Sequence, residues 1–177
     1  MKTVQIDNKE QVENIISSCC ICYVGLIDTD NTPYVIPMNF GYKDGVVYLH
    51  SAPDGHLVDC IYKNSKICIT FNLGQELVFQ HPKVACSYRM RSKSVVCKGK
   101  VNFIEDLQEK EEILNVIMAK YVPDKAFSYS EPALKNVKVW EIPLDKVSAK
   151  EFAAPHGKPK IIYGNSSVNI VSDHSNK

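Results

Sequence analysis

The sequence lacks the features that would indicate a membrane, a secretory route or a nucleic-acid partner. Its 177 residues contain no apolar run long enough to span a bilayer, and the N-terminal segment MKTVQIDNKEQ has no signal-peptide core. The 21 Lys and Arg residues balance 20 Asp and Glu residues, so the net charge of +1 gives no reason to expect nucleic acid or an anionic membrane as a partner. We therefore expect a cytoplasmic protein.

The sequence also lacks a metal-binding or disulfide framework. The seven cysteines are odd in number and most lie in apolar segments, as expected for reduced thiols that fill a core. Cys19 and Cys22 form one C-x-x-C, but no second pair follows at zinc spacing. His81, His156 and His174 have no ligand spacing to one another. We predict no metal site.

Short strand patterns separated by turns dominate the chain. The spacings are too short for parallel crossovers, so the strands are predicted to be antiparallel. CSYRM and SVVCKGKVNFIE are predicted to form a long hairpin. The fold class is therefore mainly β, with six or seven strands in a closed barrel and helices at its rim. The other predicted strands are CYVGLID, PYVIPMNFGY, VVYLH, KICITFNL and NVKVWEI.

Three segments have helical patterns. Asp7 is predicted to cap a helix that ends before Cys20, and Asp106 is predicted to cap DLQEKEEILNVIMAKYV. LVDCIYKN can form the third helix. Beyond Phe152 the chain is richer in helix and strand breakers. We expect a domain over residues 1–152 and a tail, partly irregular or docked on a partner subunit, over residues 153–177.

The segment VVYLHSAPDGHLVDC is the most informative for function. A strand ends at His50, and a short loop containing Ser51 and Gly55 leads into a helix. The free N–H groups of the helix start, with the Ser51 hydroxyl and basic His56, would bind an anion such as a phosphate. The alternative is an ordinary connection in which Ser51 or Asp54 caps the helix.

Three further features each have a functional and an ordinary interpretation. Pro37 interrupts IPMNFGY, so Asn39 and the backbone around it either face the polar edge of a planar ring or belong to a plain edge strand. The basic stretch YRMRSKSVVCKGK lies beside a phosphate or forms a solvated face. Trp140, the only tryptophan, stacks on a ring or packs in the core.

Four stretches in this order resemble the pyridoxamine 5′-phosphate oxidase-related flavoproteins, and among them the nitroimidazole-resistance (Nim-type) reductases. They are YVGLIDTDNTPYVIPMNFGY, VVYLHSAPDGHLVD, YRMRSKSVVCKGKV and VKVWEIPLDKVSAKEF. The resemblance covers about residues 10–152. It implies an antiparallel Greek-key split barrel and a homodimer with FMN in clefts at the subunit interface.

The resemblance also implies roles for individual residues. His50 is the candidate catalytic residue and also a cofactor contact. His56 stands at the family's basic phosphate position, where most relatives have the stronger cation Lys or Arg. The candidate cofactor-binding residues are Pro37, Met38, Asn39 and Phe40 along the isoalloxazine, His50, Ser51, Ala52, Gly55 and His56 toward the phosphate, and Ser94, Val95 and Trp140 elsewhere in the site.

The implied activity is an FMN-dependent oxidoreductase that reduces a small planar acceptor, such as a nitroaromatic, with electrons from a nicotinamide donor. No Rossmann fingerprint is present, so we expect that donor to bind transiently. The alternatives are a non-catalytic flavin or haem binder, a pyridoxamine 5′-phosphate oxidase-like enzyme, and a barrel that has lost its cofactor. No nucleophile elbow indicates a hydrolase.

Overall fold

The computed structural model describes residues 2–155 and 169–170, and within them the fold is mainly β. The helices are α1 (Lys9–Ser18), α2 (His56–Lys63), α3 (Leu107–Tyr121) and α4 (Glu131–Lys135). The strands are β1 (Lys2–Ile6), β2 (Cys22–Ile27), β3 (Pro33–Met38), β4 (Gly41–Lys43), β5 (Val46–Ser51), β6 (Lys66–Val78), β7 (Arg89–Lys100), β8 (Asn102–Ile104), β9 (Lys138–Ala154) and β10 (Asn169–Ile170).

Hydrogen bonds connect seven of the strands in the order β3-β2-β6-β7-β9-β5-β4, and β1, β8 and β10 pair beside this path. Among the described residues β3 and β4 are not paired with each other, so the strands do not close into the continuous barrel that we expected. The mainly β fold of the split-barrel class is confirmed, and its strands are antiparallel apart from β10, which pairs with β6 in parallel. The described residues form ten strands where six or seven were predicted, because β1 and β10 were not predicted and β4 and β8 fell within longer predicted strands.

The chain divides into two compact units. One comprises Met1–Cys19, Phe71–Val95 and Ser148–Lys177, and the other comprises Cys20–Thr70 and Val96–Val147. We call them the first and the second unit. The first unit contains β1, which pairs with the end of β9, and α1, whose Ile15 and Ile16 are buried.

In the second unit, a buried apolar cluster holds helix α3. Ile113, Leu114 and Ile117 of α3 lie at helical spacing and pack in one apolar cluster with Ile104 and Val139. Asp106 caps α3 by accepting the Glu109 N–H at 2.9 Å, as predicted. The apolar stripe and the cap together explain why this segment is helical.

The β2–β3 hairpin presents an apolar face to solvent. Cross-strand pairs put Tyr23 opposite Pro37, Val35 opposite Gly25, and Ile27 opposite Pro33, and paired residues share one face of the sheet. Val35 is 61% exposed, Tyr23 44% and Ile27 37%. With Leu26, Tyr34, Lys66, Ile67 and Cys68, part of this face lines an open groove of about 280 Å³.

Two local predictions were wrong. Asn8, not Asp7, caps α1 and accepts the Gln11 N–H at 2.8 Å. The hairpin predicted within residues 86–105 is instead one twelve-residue strand, β7, followed by short β8. Polar residues through the middle of β7 resemble a turn, but they alternate between sheet faces without a glycine or proline to reverse the chain.

All seven cysteines are free thiols, as expected, and Cys19, Cys22, Cys60 and Cys97 are buried. Burial raises the pKa of Cys97 to about 12, so this thiol stays protonated at neutral pH. Within the described part of the chain no helix combines the length and the apolar character needed to cross a membrane. Apart from residues 153–155 and 169–170, the predicted tail lies outside the described residues.

Candidate functional site

The loop from β5 to α2 ends in a helix start that has no side-chain cap. Gly55 is the N-cap residue with φ of 112°, a conformation that favours glycine, and no side chain of residues 2–155 caps the first N–H groups of α2. The ordinary interpretation required Ser51 or Asp54 to cap the helix, and neither of them does. The first N–H groups are left to bind an anion, which the helix dipole also attracts.

Ser51 is fixed by the only tryptophan. Its hydroxyl accepts a hydrogen bond from Trp140 Nε1 at 3.1 Å and donates to the Ala52 carbonyl at 2.8 Å. Trp140 has no exposed surface, and its ring lies edge-on to Phe103 with centroids 6.0 Å apart. The ring therefore packs in the core rather than stacking in an open cleft, and its contribution to the loop is to orient Ser51.

A basic side chain that the sequence analysis did not single out pairs across the sheet from this loop. Lys138 of β9 is the register partner of Ser51, and its Nζ lies 2.8 Å from Glu105 Oε1. The hydrogen bond to Glu105 raises the pKa of Lys138, which keeps the amine cationic. Register partners share one face of a sheet, so the Lys138–Glu105 ion pair accompanies Ser51.

His56, the candidate phosphate residue, contacts an acid. Its Nε2 lies 3.1 Å from Asp28 Oδ2, and its ring lies edge-on to Tyr34 with centroids 5.5 Å apart. Desolvation raises the pKa of Asp28, but hydrogen bonds from His56 and Thr29 outweigh it, so the net shift is downward and the carboxylate stays charged. Since Nε2 faces Asp28, Nδ1 is the nitrogen left to face a phosphate.

His50 lies one residue before Ser51, on β5 opposite Val139, and is exposed. Partial desolvation lowers the pKa of its imidazole below 6.5. The ring is therefore mostly neutral at pH 7, and its protonated form is a stronger acid than free histidine.

The segment predicted to lie along the edge of a ring, residues 37–40, is partly exposed and partly buried. Pro37 lies within edge strand β3 and is exposed, and the strand ends after Met38, whose carbonyl accepts from Cys22 Sγ at 3.6 Å. Asn39 follows in an irregular, exposed position. Phe40 has no exposed surface; its N–H donates to Tyr121 Oη at 2.9 Å. Among these side chains, Asn39 is the one placed to bind a polar ring edge from outside the core.

The remaining candidates include residues of the first unit. Ser94 is half-buried on β7, and Val95 beside it has no exposed surface. Arg91 pairs with Glu76 at 2.9 Å, and its Nε donates to the Ala153 carbonyl at 3.4 Å. Its charge is thus compensated within the first unit. Ala52, in the second unit, is exposed in the β5–α2 loop.

The sequence analysis therefore singled out the β5–α2 loop but not the residues that contact it or pair with it. Asp28, Tyr34 and Lys138 are separated from the loop in sequence by about twenty to ninety residues. The register of β5 on β9 brings Lys138 to the loop, and tertiary packing of the β2–β3 turn against α2 brings Asp28 and Tyr34. A usable signal for Lys138 was that it falls on the predicted strand next to Trp140. Nothing in the sequence indicated a role for Asp28, because residues 28–31 have the composition of an ordinary turn.

The arrangement fits the phosphate of a flavin nucleotide. It offers uncapped backbone N–H groups, an oriented hydroxyl and an exposed imidazole, and the space around Gly55 is open, since a Cβ placed there meets nothing within 4 Å. Such groups are typical of nucleotide phosphate sites.

Comparison with known proteins gives the family. The model of the pyridoxamine 5′-phosphate oxidase family matches residues 8–151. A protein from Bacteroides thetaiotaomicron, proposed to be a 5-nitroimidazole antibiotic resistance protein, is 48% identical with a TM-score of 0.78, covering 85% of this chain and 88% of that one.

Two more distant structures share the fold. An FAD- and haem-binding protein from Mycobacterium smegmatis has 15% identity and a TM-score of 0.76, covering 88% of this chain and 75% of that one. A flavocytochrome from Azotobacter vinelandii has 20% identity and a TM-score of 0.76, covering 98% and 81%. No curated protein matches. The chain belongs to the pyridoxamine 5′-phosphate oxidase family, whose model spans nearly all of the described domain.

Proposed function

We propose that this protein binds FMN and reduces small nitroaromatic acceptors, such as nitroimidazoles, with electrons from a nicotinamide donor. The observation that carries the proposal is the uncapped start of α2 beside the Ser51 hydroxyl. The 48% identity with a protein proposed for 5-nitroimidazole resistance supports the choice of acceptor. When bound, a flavin accepts two electrons from one reactant and passes them to another.

The chain's own residues would hold the phosphate through hydrogen-bond donors, with Lys138 as a nearby cation. The N–H groups of α2 would donate directly, and the Ser51 hydroxyl would donate by turning its proton from the Ala52 carbonyl to the phosphate. His56 would donate through Nδ1 as an imidazolium whose Nε2–H bonds to Asp28. Lys138 supplies positive charge, reduced by its pairing with Glu105. This division explains how a site without the family's usual Lys or Arg after the loop glycine still attracts an anion.

Asn39 and His50 would act at the reacting end of the site. The Asn39 amide can donate and accept hydrogen bonds, and so can orient the polar edge of a planar ring. Reduction of a nitro group to a nitroso group takes two electrons from the nicotinamide, consumes one proton and releases water. His50, which is exposed, would deliver that proton, and its lowered pKa would make the imidazolium a good donor.

A homodimer completes the proposal. The β2–β3 face exposes Tyr23, Ile27 and Val35 beside an open groove, and contiguous exposed apolar surface of this kind is typical of association sites. We propose that a second copy of the chain covers this face. Pro37 lies on the same face of the hairpin, and its strand, β3, ends one residue before Asn39. Dimerisation would therefore shelter the ring end of the site.

The test is spectroscopic and uses the purified full-length protein. We expect a flavin absorption spectrum, bleaching by NADH or NADPH under anaerobic conditions, and return of the oxidised spectrum when a nitroimidazole is added. Recovery should be stoichiometric, with one nitroimidazole consumed per two electrons. Residues outside the site provide the control, and Val147→Thr, on the exposed surface, should behave as the parent protein.

Other outcomes would each point to a different function. A bound flavin that stays oxidised with every donor would make the protein a flavin binder. A Soret band instead of a flavin spectrum would indicate haem, and turnover of pyridoxamine 5′-phosphate would indicate the oxidase activity. A protein that binds no flavin at all would contradict the proposal at its first step.

A further inference from the structure

Three side chains of different chemistry meet beside the first turns of α2. His56 and Cys60 stand four residues apart, on one face of the helix, and Asp28 at the end of β2 lies against them. The His56 Nε2 to Asp28 Oδ2 distance is 3.1 Å. Cys60 Sγ lies 3.7 Å from His56 Nε2 and 3.8 Å from Asp28 Oδ1.

The geometry is not that of a nucleophilic relay. In such a relay, the acid contacts one imidazole nitrogen and the nucleophile contacts the other. Here both Asp28 and Cys60 approach the same atom, His56 Nε2. One nitrogen cannot both accept the thiol proton and donate to the carboxylate, so a proton relay from Cys60 through His56 to Asp28 is not formed.

The same convergence is what a metal ion requires. For a tetrahedral zinc ion with ordinary bond lengths to sulfur, nitrogen and oxygen, the ligand atoms lie about 3.4–3.6 Å from one another. The His56 Nε2 to Asp28 Oδ2 and Cys60 Sγ to His56 Nε2 distances, 3.1 and 3.7 Å, are within a few tenths of an ångström of those edges. Cys60 contacts the other Asp28 oxygen, Oδ1, and with one ligand atom from each residue the three atoms lie within 4.8 Å of one another, so a small rotation of the carboxylate would complete the set. We propose that Asp28, His56 and Cys60 bind a zinc-class divalent cation.

The donor set indicates which cation. Thiolate and imidazole favour borderline ions such as Zn²⁺, Co²⁺ and Fe²⁺ over Mg²⁺ and Ca²⁺, which prefer all-oxygen sites. Three protein ligands leave a fourth tetrahedral position open. The Cys60 side of the cluster is buried, whereas the His56 side chain is 53% exposed, so the open position faces solvent on the histidine side.

The ligands are held by their neighbours. The turn after β2 fixes Asp28: its N–H donates to the Thr32 carbonyl at 2.8 Å, and its Oδ1 accepts from the Thr29 N–H and hydroxyl. The Tyr34 ring packs edge-on against the His56 ring. Lys63 of α2 donates to the Thr29 carbonyl and so ties the turn to the helix. These contacts limit the reorganisation that metal binding would need.

The proposal does not rest on the flavin. Asp28 and Cys60 are outside the proposed flavin contacts, and only His56 belongs to both sets. A histidine that binds a cation through Nε2 would add positive charge beside the proposed phosphate site. Failure of the metal site would leave flavin binding intact, and failure of flavin binding would leave the three ligands in place.

The experiment titrates Co²⁺ into the reduced, full-length protein after removal of adventitious metal with a chelator. We expect one cobalt per chain, with a near-ultraviolet thiolate-to-cobalt band and the intense visible bands of tetrahedral cobalt, both abolished by equimolar Zn²⁺. Cys60→Ser should remove the near-ultraviolet band, and Asp28→Asn should weaken cobalt affinity about tenfold or more. Cys86→Ser is the matched control, because Cys86 is exposed and outside the cluster, and it should bind cobalt as the parent does.

Asp28→Asn keeps the test decisive should Cys60→Ser, which alters a buried position, fail to fold. A tetrahedral cobalt spectrum that persists in Asp28→Asn with unchanged affinity would overturn the proposal. So would the absence of a thiolate-to-cobalt band in the parent protein, or its loss in Cys86→Ser rather than in the cluster variants. The bound-flavin spectrum, recorded in parallel, reports separately on the proposed cofactor site.

Discussion

Trp140 Nε1 donates a hydrogen bond to Ser51 Oγ at 3.1 Å, from a fully buried ring to the loop at the start of α2. The bond joins two residues that sequence reasoning placed in the site for separate reasons. It makes Trp140 a positioning residue in the proposed site, because its buried ring fixes the Ser51 oxygen that is proposed to bind the phosphate. The hydroxyl proton is directed at the same time toward the Ala52 carbonyl.

Replacing Trp140 by Phe should weaken FMN binding without touching the phosphate. The lost hydrogen bond is worth about 0.5–1.5 kcal/mol, which corresponds to a roughly 2- to 12-fold rise in the dissociation constant. Flavin fluorescence titration measures it. In the double variant with Ser51→Ala the two effects should be less than additive, because both remove the same oriented oxygen. Full additivity would show that Trp140 and Ser51 act independently.

His50 should impose a pH dependence on nitro reduction. Desolvation lowers its pKa below 6.5, so the protonated acid becomes populated as pH falls, and the rate of acceptor reduction should rise below pH 7. His50→Gln should flatten this profile and lower kcat while leaving the flavin spectrum in place. Stopped-flow oxidation by a nitroimidazole from pH 5.5 to pH 8 measures it. A variant with the parent's profile would remove His50 from the reaction.

The lowered pKa of His50 also affects stability, and for stability a lower pH is unfavourable. The folded state binds the His50 proton less readily than the unfolded chain, so the free energy of unfolding should fall as pH drops through about 6.5. His50→Gln should reduce that fall. Urea unfolding at several pH values checks the sign, and an unchanged slope in the variant would contradict the shift.

Val35→Glu should break the proposed dimer. Val35 is more exposed than Tyr23 or Ile27 on the apolar β2–β3 face, and a carboxylate placed there would be desolvated on association. Light scattering should show a dimer for the parent and a monomer for the variant. Val147→Glu is the matched control, an identical change at another exposed valine, and should remain dimeric. Dissociation by both variants, or by neither, would place the interface elsewhere.

Gly99→Ala should destabilise the fold. A Cβ at this position would lie 2.5 Å from the Pro143 carbonyl oxygen and 2.8 Å from Ile142 Cγ2, and the nearer atom belongs to the backbone of β9. The overpacking cost is about 1–3 kcal/mol. Urea midpoints at constant m-value measure it. Gly25→Ala, whose Cβ meets its nearest atom at 3.4 Å, is the control and should cost less.

Local features were predictable from the sequence because local physics determines them. The cap at Asp106 and the apolar spacing of α3 were visible in residues 106–118, and both are present. The turn at residues 28–31 and the strands on either side follow from short-range side-chain chemistry and alternation. The strand-to-helix loop after His50 belongs to the same class.

The contacts that support the site were not predictable, because they join residues that are distant in sequence. Asp28 meets His56 only because the β2–β3 turn and the start of α2 are brought together by the tertiary fold. The resemblance placed Phe40 along the ring, and the sequence left Trp140 open between stacking on a ring and packing in the core. Both are buried, and their burial is set by the packing around β9 and α3 rather than by their sequence neighbours. The register of β5 on β9, which pairs Ser51 with Lys138, likewise depends on strands almost ninety residues apart.

The most direct test of the account compares FMN with riboflavin, which has the same ring but no phosphate. For the parent protein and for Ser51→Ala combined with His56→Ala, dissociation constants of both ligands are measured by fluorescence titration. The account predicts that the double variant loses about tenfold or more in FMN affinity and little or nothing in riboflavin affinity. Equal losses for both ligands, or no loss for FMN, would show that the phosphate does not bind at the start of α2.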